Sequence, residues 1–144
     1  MDVGSLDAHG LRTRRKVMGD DHVNASVNDA TPFTEDIQVL VTKYAWGDVW
    51  SRPGLSLRDR SIVTVSMLVA LNRPQELRGH IRGALNNGVT VTELREMLLQ
   101  AAIYCGAPAA LDSFRVAVSV LDELNDGRET LQPSPTSGTE AVDQ

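Results

Sequence analysis

An all-α protein, a compact bundle of about six helices, is the fold this sequence predicts, and three observations carry it. Large apolar residues recur at three- and four-residue spacing, with no stretch of strict alternation that would mark a strand. Proline, glycine and Ser/Thr signals divide the chain into helix-length pieces. Hydrophobic residues fill 42% of the 144 positions and aromatics only 4%, so the interior is to be built from Leu, Val, Ile and Ala, which suits helix-on-helix packing. The length allows one domain.

Residues 1–30 read as an N-terminal helical arm, with an amphipathic helix over Ser5 to Met18 carrying Arg12, Arg14, Arg15 and Lys16. Asp20 and Asp21 follow at once, so this basic run is expected to be a solvated or subunit-facing stripe. The helical domain proper spans 31–126. Thr31-Pro32 is a good helix start, and Ile37, Leu40, Val41 and Tyr44 continue at helical spacing to Trp46 and Trp50. Arg52-Pro53-Gly54 breaks the chain. Ser56 and Asp59 resemble a capping box ahead of Leu57 to Leu71, which is apolar on nearly every face from Ile62 and is therefore expected to be buried all round.

Asn72-Arg73-Pro74 separates that helix from Pro74 to Asn87, stopped by Gly88. Thr90 and Glu93 form a cleaner capping box for a helix reaching Cys105, ended by Gly106 and Pro108. The last helix, Ala109 to Leu124, should bury Leu111, Phe114, Ala117, Val118 and Leu121. Residues 127–144, rich in Ser, Thr, Pro and Gly, have the composition of a disordered tail.

The bulk numbers exclude several function classes. A net charge of −5, from 14 basic and 19 acidic residues, gives no electrostatic support to nucleic-acid binding. One cysteine rules out an internal disulfide. With no apolar run of membrane-spanning length and no signal-peptide layout, a soluble cytoplasmic protein without membrane attachment is expected. Three histidines, no HExxH pattern and no glycine-rich phosphate loop argue against a metal or nucleotide cofactor. The short helices and wide apolar stripes point to a homo-oligomer. Gly79 and Gly83, four apart, admit another backbone, either from a partner or from this chain.

The densest polar content lies between Trp46 and His80. On the helical wheel of Pro74 to Asn87, Leu77, Ile81, Ala84 and Leu85 form the buried stripe, while Gln75, Arg78 and Arg82 take the wet side. Glu76 and His80, four apart, stack on the border. Such a carboxylate would raise the histidine pKa and hold it as a proton donor near neutrality. A surface pair of no consequence is the commoner outcome of that spacing. Arg52, Arg58 and Arg60 are either helix-surface charges or fork-shaped anchors for a substrate carboxylate. His9 and His22 read as structural or exposed, Cys105 as a buried small hydrophobe, and Tyr104 as a core residue.

Taken together, W-x-x-x-W-x-R-P-G-L (Trp46 to Leu55), R-x-R-S (Arg58 to Ser61), E-L-x-x-H (Glu76 to His80), N-N-G-V-T (Asn86 to Thr90), Y-C-G-x-P-A (Tyr104 to Ala109) and R-R-x-V-M-G-D-x-H-V (Arg14 to Val23) resemble the carboxymuconolactone decarboxylase family, in order and over roughly residues 10 to 125. The resemblance implies an alkylhydroperoxidase-D-like helical fold assembling into rings, often hexamers. The C-x-x-C-x-x-x-H of the peroxidase branch is absent: Arg73 and Glu76 stand at the cysteine positions, and the relay glutamate would fall near Ser61. The implied reaction is a cofactor-free decarboxylation of a small carboxylated lactone, 4-carboxymuconolactone, in aromatic catabolism through the β-ketoadipate pathway. The implied roles are proton donor or oxyanion stabiliser for His80 oriented by Glu76, with His22 in reserve; carboxylate anchor for Arg52 or Arg60; and a dry wall of Trp46 and Trp50. A related lyase or isomerase on another lactone, and a non-catalytic helical assembly protein, are the alternatives.

Overall fold

Two layers of helices meet across one cavity. The structure, a computed structural model, describes residues 1–129. A 3-10 turn (Val3–Ser5) leads into α1 (Ala8–Met18) and α2 (Asp20–Asn28); α3 (Glu35–Leu40) runs directly into a π-helical segment (Val41–Val49); then come α4 (Leu57–Ala70), α5 (Pro74–Asn86), α6 (Val91–Tyr104) and α7 (Ala107–Glu129). No strand occurs among the described residues, and the all-α class holds. The tail expected from Gly127 lies, from residue 130 on, outside the described residues; α7 itself continues to Glu129.

Capping chemistry sets the boundaries. The Asp7 carboxylate accepts from Gly10 N at 2.6 Å and starts α1. Ser56 Oγ accepts from Asp59 N at 3.0 Å and starts α4. Thr90 and Glu93 form the full reciprocal box, at 3.1 and 2.9 Å, ahead of α6. Arg58 bonds the same Glu93. The Thr90 backbone N–H first, then the Arg58 side chain, hold that carboxyl below the usual range. Gly19, at φ 86°, closes α1 and opens α2 in one residue, a conformation side chains rarely tolerate.

The main core joins α4 to α7 through Val65, Val69, Leu77, Ile81, Leu94, Leu98, Ala117 and Val120. A second cluster, Val17 with Trp46 and Trp50, ties α1 to the π-helical segment. Gly79 and Gly83 serve this inner packing: a Cβ on Gly83 would sit 3.1 Å from Val17 Cγ1, and one on Gly79 2.9 Å from Met18 Cε. Both glycines thus admit this chain's own α1.

Several expectations are corrected. The segment after Thr31-Pro32 is a turn, with Thr31 N donating to Thr34 Oγ1 at 2.9 Å, so the helix begins at Glu35 and soon widens to π geometry. Within the N-terminal helical arm, residues 20–28 form a second helix. The Leu57 to Leu71 helix is not buried all round: α4 packs against α5, α6 and α7 through Ser61, Val65 and Val69, while Val63, Met67 and Leu71 are exposed. On α7 the inward residues are Ala110, Ser113, Ala117 and Val120. Leu111 and Val118 face out, because α7 packs against α4, α5 and α6 together and small side chains fit that crowded line. Tyr104 and Cys105 are exposed, lying where α6 runs past the core. Arg78 and Arg82 are not free on a wet face; both pair with Glu123 of α7.

Candidate active site

The cavity between the layers measures about 550 Å³ and draws its lining from six segments: Arg14 and Met18 of α1, His22 and Ser26 of α2, Gln38 of α3, Val41, Ala45, Trp46 and Trp50 in and after the π-helical segment, Thr64 of α4, and Gln75, Glu76, Gly79 and His80 of α5. Arg14, Met18, His22 and Ser26 are spaced by four, so one stripe continues through the Gly19 break. A groove of about 610 Å³ along α7 is as roomy, but its lining holds no histidine and it is more open to solvent.

His80 is fixed by aromatic contact. Its ring lies 6.0 Å from both Trp46 and Trp50, at interplanar angles of 9° and 22°, and the two indoles are 4.9 Å apart. Nδ1 is buried and has no hydrogen-bond partner among the described residues, a polar atom left unsatisfied. Glu76, expected to orient this ring, sits at the exposed rim. Its charge raises the His80 pKa, but burial first and His22 second outweigh it and bring the value down to about 4. The expected imidazolium near neutrality is thus replaced by a neutral imidazole in the empty cavity. His22 is lowered too, by partial burial and then by Arg14.

Arg14 is the largest departure from the sequence expectation. Rather than a solvated stripe, it is 6% exposed. Nη1 donates to Gln38 Oε1 at 2.9 Å and Thr42 Oγ1 at 3.3 Å, and Nε is buried without a partner. No acidic side chain pairs with it among the described residues. The neighbours Arg12 and Lys16 are indeed exposed, which is why composition alone hid Arg14; the spacing of four to Met18 and His22 was the available signal.

Of the residues singled out from sequence, His80, Glu76, Trp46, Trp50 and His22 are brought together. Arg52 and Arg60 are not. Arg52 opens on a separate groove of about 470 Å³ with His9, Arg12 and Lys16, bordered by the same Trp50, and Arg60 Nη2 donates to the Arg52 carbonyl at 3.1 Å.

The low His80 pKa makes stability pH-dependent. Between about 4 and 6.5 the unfolded chain binds a proton at this position that the folded one does not, so stability falls as pH drops through that window. A His80→Gln variant should show a flatter melting temperature between pH 6.5 and 4 than the parent; parallel curves for the two would contradict the buried neutral imidazole.

Two imidazoles, a guanidinium without an acidic partner among the described residues and an indole wall thus line one cavity of an all-helical chain. The model of the carboxymuconolactone decarboxylase family matches residues 35–119, more than half of the sequence, and the chain belongs to that family. It is 44% identical to a 4-carboxymuconolactone decarboxylase of Acinetobacter baylyi over 80% of this chain and 86% of the relative. It is also 40% identical to a nitrosuccinic acid decarboxylase of Metarhizium robertsii over 86% and 87%.

Proposed function

We propose that this protein is a carboxy-lyase that converts 4-carboxymuconolactone to the β-ketoadipate enol-lactone without a cofactor. The single observation that carries the reading is His80, stacked on two indoles in the lining of the cavity; the A. baylyi relative supplies the substrate name. In this substrate one ring carbon bears both a carboxylate and a carboxymethyl arm. The bond to the carboxylate breaks, its electron pair moves through the C=C bond to the lactone carbonyl oxygen, CO2 leaves, and a proton adds to the carbon beside the carbonyl. The substrate is its own electron sink.

A neutral His80 acts first as an N–H donor to the developing oxyanion. The substrate's negative charges raise the imidazole pKa, so His80, with Glu76 adding to the same effect, takes up a proton from solvent and the imidazolium delivers it to the carbon beside the carbonyl. His22 is the reserve donor. Trp46 and Trp50 leave the departing carboxylate poorly solvated.

A second reading is favoured by the M. robertsii relative. In nitrosuccinate, too, one carbon bears a carboxylate and a carboxymethyl arm, with a nitro group in place of the unsaturated lactone as sink. Incubating metal-stripped protein with each compound and following CO2 release decides. The lactone should turn over and the nitro acid more slowly; the reverse order would assign the second reading, and no release from either would remove both.

We infer a homo-oligomer, of which the family's hexameric ring is one form. Phe33 at 95%, Ile103 at 81% and Tyr104 at 81% exposure are unusual for a lone chain. Light scattering that shows a monomer at working concentration would overturn this. The exposed free thiol of Cys105 suits the reducing cytoplasm, which we take as the location.

A further inference from the structure

We infer that Arg14 is the binding residue for the carboxylate that stays on the substrate, so that the cavity selects dicarboxylates over monocarboxylates. The inference rests on the decarboxylase reading above and adds the group that recognises the retained arm. Burying a guanidinium costs several kcal/mol unless it is paired, yet Arg14 has only two neutral acceptors, Gln38 Oε1 and Thr42 Oγ1, and both bind Nη1. Nη2 makes no hydrogen bond within the described residues, and Nε is unpartnered and sealed from water behind it. A carboxylate in the cavity meets Nη2 first, and a small turn of the guanidinium brings Nε–H into the second of two parallel N–H···O bonds.

The position agrees with the chemistry. Arg14 borders the same cavity as His80, His22 and the indoles, and lies close enough to His22 to depress its pKa. Gln38 and Thr42 both hold Nη1, which keeps the guanidinium at the cavity border before a ligand arrives. Both substrates considered above carry the carboxymethyl arm, which makes one fixed anchor sufficient for two different electron sinks. Of the anchors expected from sequence, Arg52 opens on another groove and Arg60 bonds the Arg52 carbonyl.

The test uses the full chain with succinate, which has both carboxylates and no electron sink, and propionate, which has one carboxylate. The parent should bind succinate more tightly by calorimetry. Arg14→Gln should lose that preference, weakening succinate binding ~10- to 100-fold, the value of hydrogen bonds to a charged group. It should raise KM for the turned-over substrate by a similar factor, with a smaller change in kcat. Arg14→Lys, which keeps the charge and loses the fork, should fall between; it also serves as the test if Arg14→Gln fails to fold. Parent-like succinate preference and KM in a folded Arg14 variant would overturn the proposal. Arg14-dependent succinate binding in a protein that decarboxylates neither substrate would keep the anchor and remove the reaction; normal turnover with Arg14-independent binding would do the opposite.

Discussion

Replacing His80 with glutamine is expected to lower kcat by ~10²-fold or more, the ordinary contribution of a positioned acid or base, with KM changed much less. Glutamine preserves a hydrogen-bonding side chain of moderate size on α5, so the indole wall should persist and the loss should be chemical. In the parent the ring is held at 6.0 Å from both indoles, and its rotation is restricted by packing, since Nδ1 has no hydrogen-bond partner among the described residues. Two functions are lost together: the N–H that meets the oxyanion, and the proton that reaches carbon once the substrate's charge has raised the imidazole pKa. The matching His22→Gln variant separates them. If His80 delivers the proton, His22→Gln should retain most of kcat; if His22 delivers it, both variants should be equally impaired. A folded His80→Gln protein with near-parent turnover would remove His80 from the mechanism altogether.

The helix pattern was readable because it is written in local chemistry. Thr90 with Glu93, Pro74 at the first helical position and Ser56 before α4 are short-range signals, and each forms as expected. The Glu76–His80 spacing likewise put both groups at one border of α5. What was not legible depends on contacts distant in sequence. Arg14 looks the same as Arg12 in composition; only the approach of Gln38 and Thr42 from α3 and the π-helical segment turns one inward. The sign of the His80 shift depends on enclosure by residues from both layers, which outweighs the one neighbour visible on its own helix. The π geometry of Val41–Val49 has no residue signature of its own, since Thr42, Trp46 and Gly47 are compatible with an α-helix. The outward-facing Tyr104, Leu111 and Val118 read as core residues because apolarity alone does not say whether the covering surface belongs to the same chain.

Gly10→Ala is expected to be the most destabilising single-methyl change in the protein. A Cβ at this position would lie 1.9 Å from the Thr42 carbonyl oxygen and 2.9 Å from both the Thr42 carbonyl carbon and Gly47 N. All three are backbone atoms of the π-helical segment, so no side-chain rotation relieves the clash, and α1 must move away or the segment must deform. Overpacking of a well-filled interior commonly costs about 1–3 kcal/mol; with rigid backbone on the receiving side, about 3 kcal/mol or more is expected, a loss of roughly 10 °C in melting temperature for a chain of this size. Gly54→Ala is the control, because a Cβ there meets nothing within 4 Å and the change should be nearly neutral. Both are measured by urea and thermal unfolding at one protein concentration, since assembly would shift the transition. The activity of any folded Gly10→Ala protein should fall as well. Arg14 stands one turn further along α1, its acceptor Thr42 is the displaced residue, and Trp46 follows one turn later in the same segment. A melting temperature equal to that of Gly54→Ala would show that α1 does not seat on the Thr42 carbonyl, and with it the geometry that turns Arg14 into the cavity would be lost.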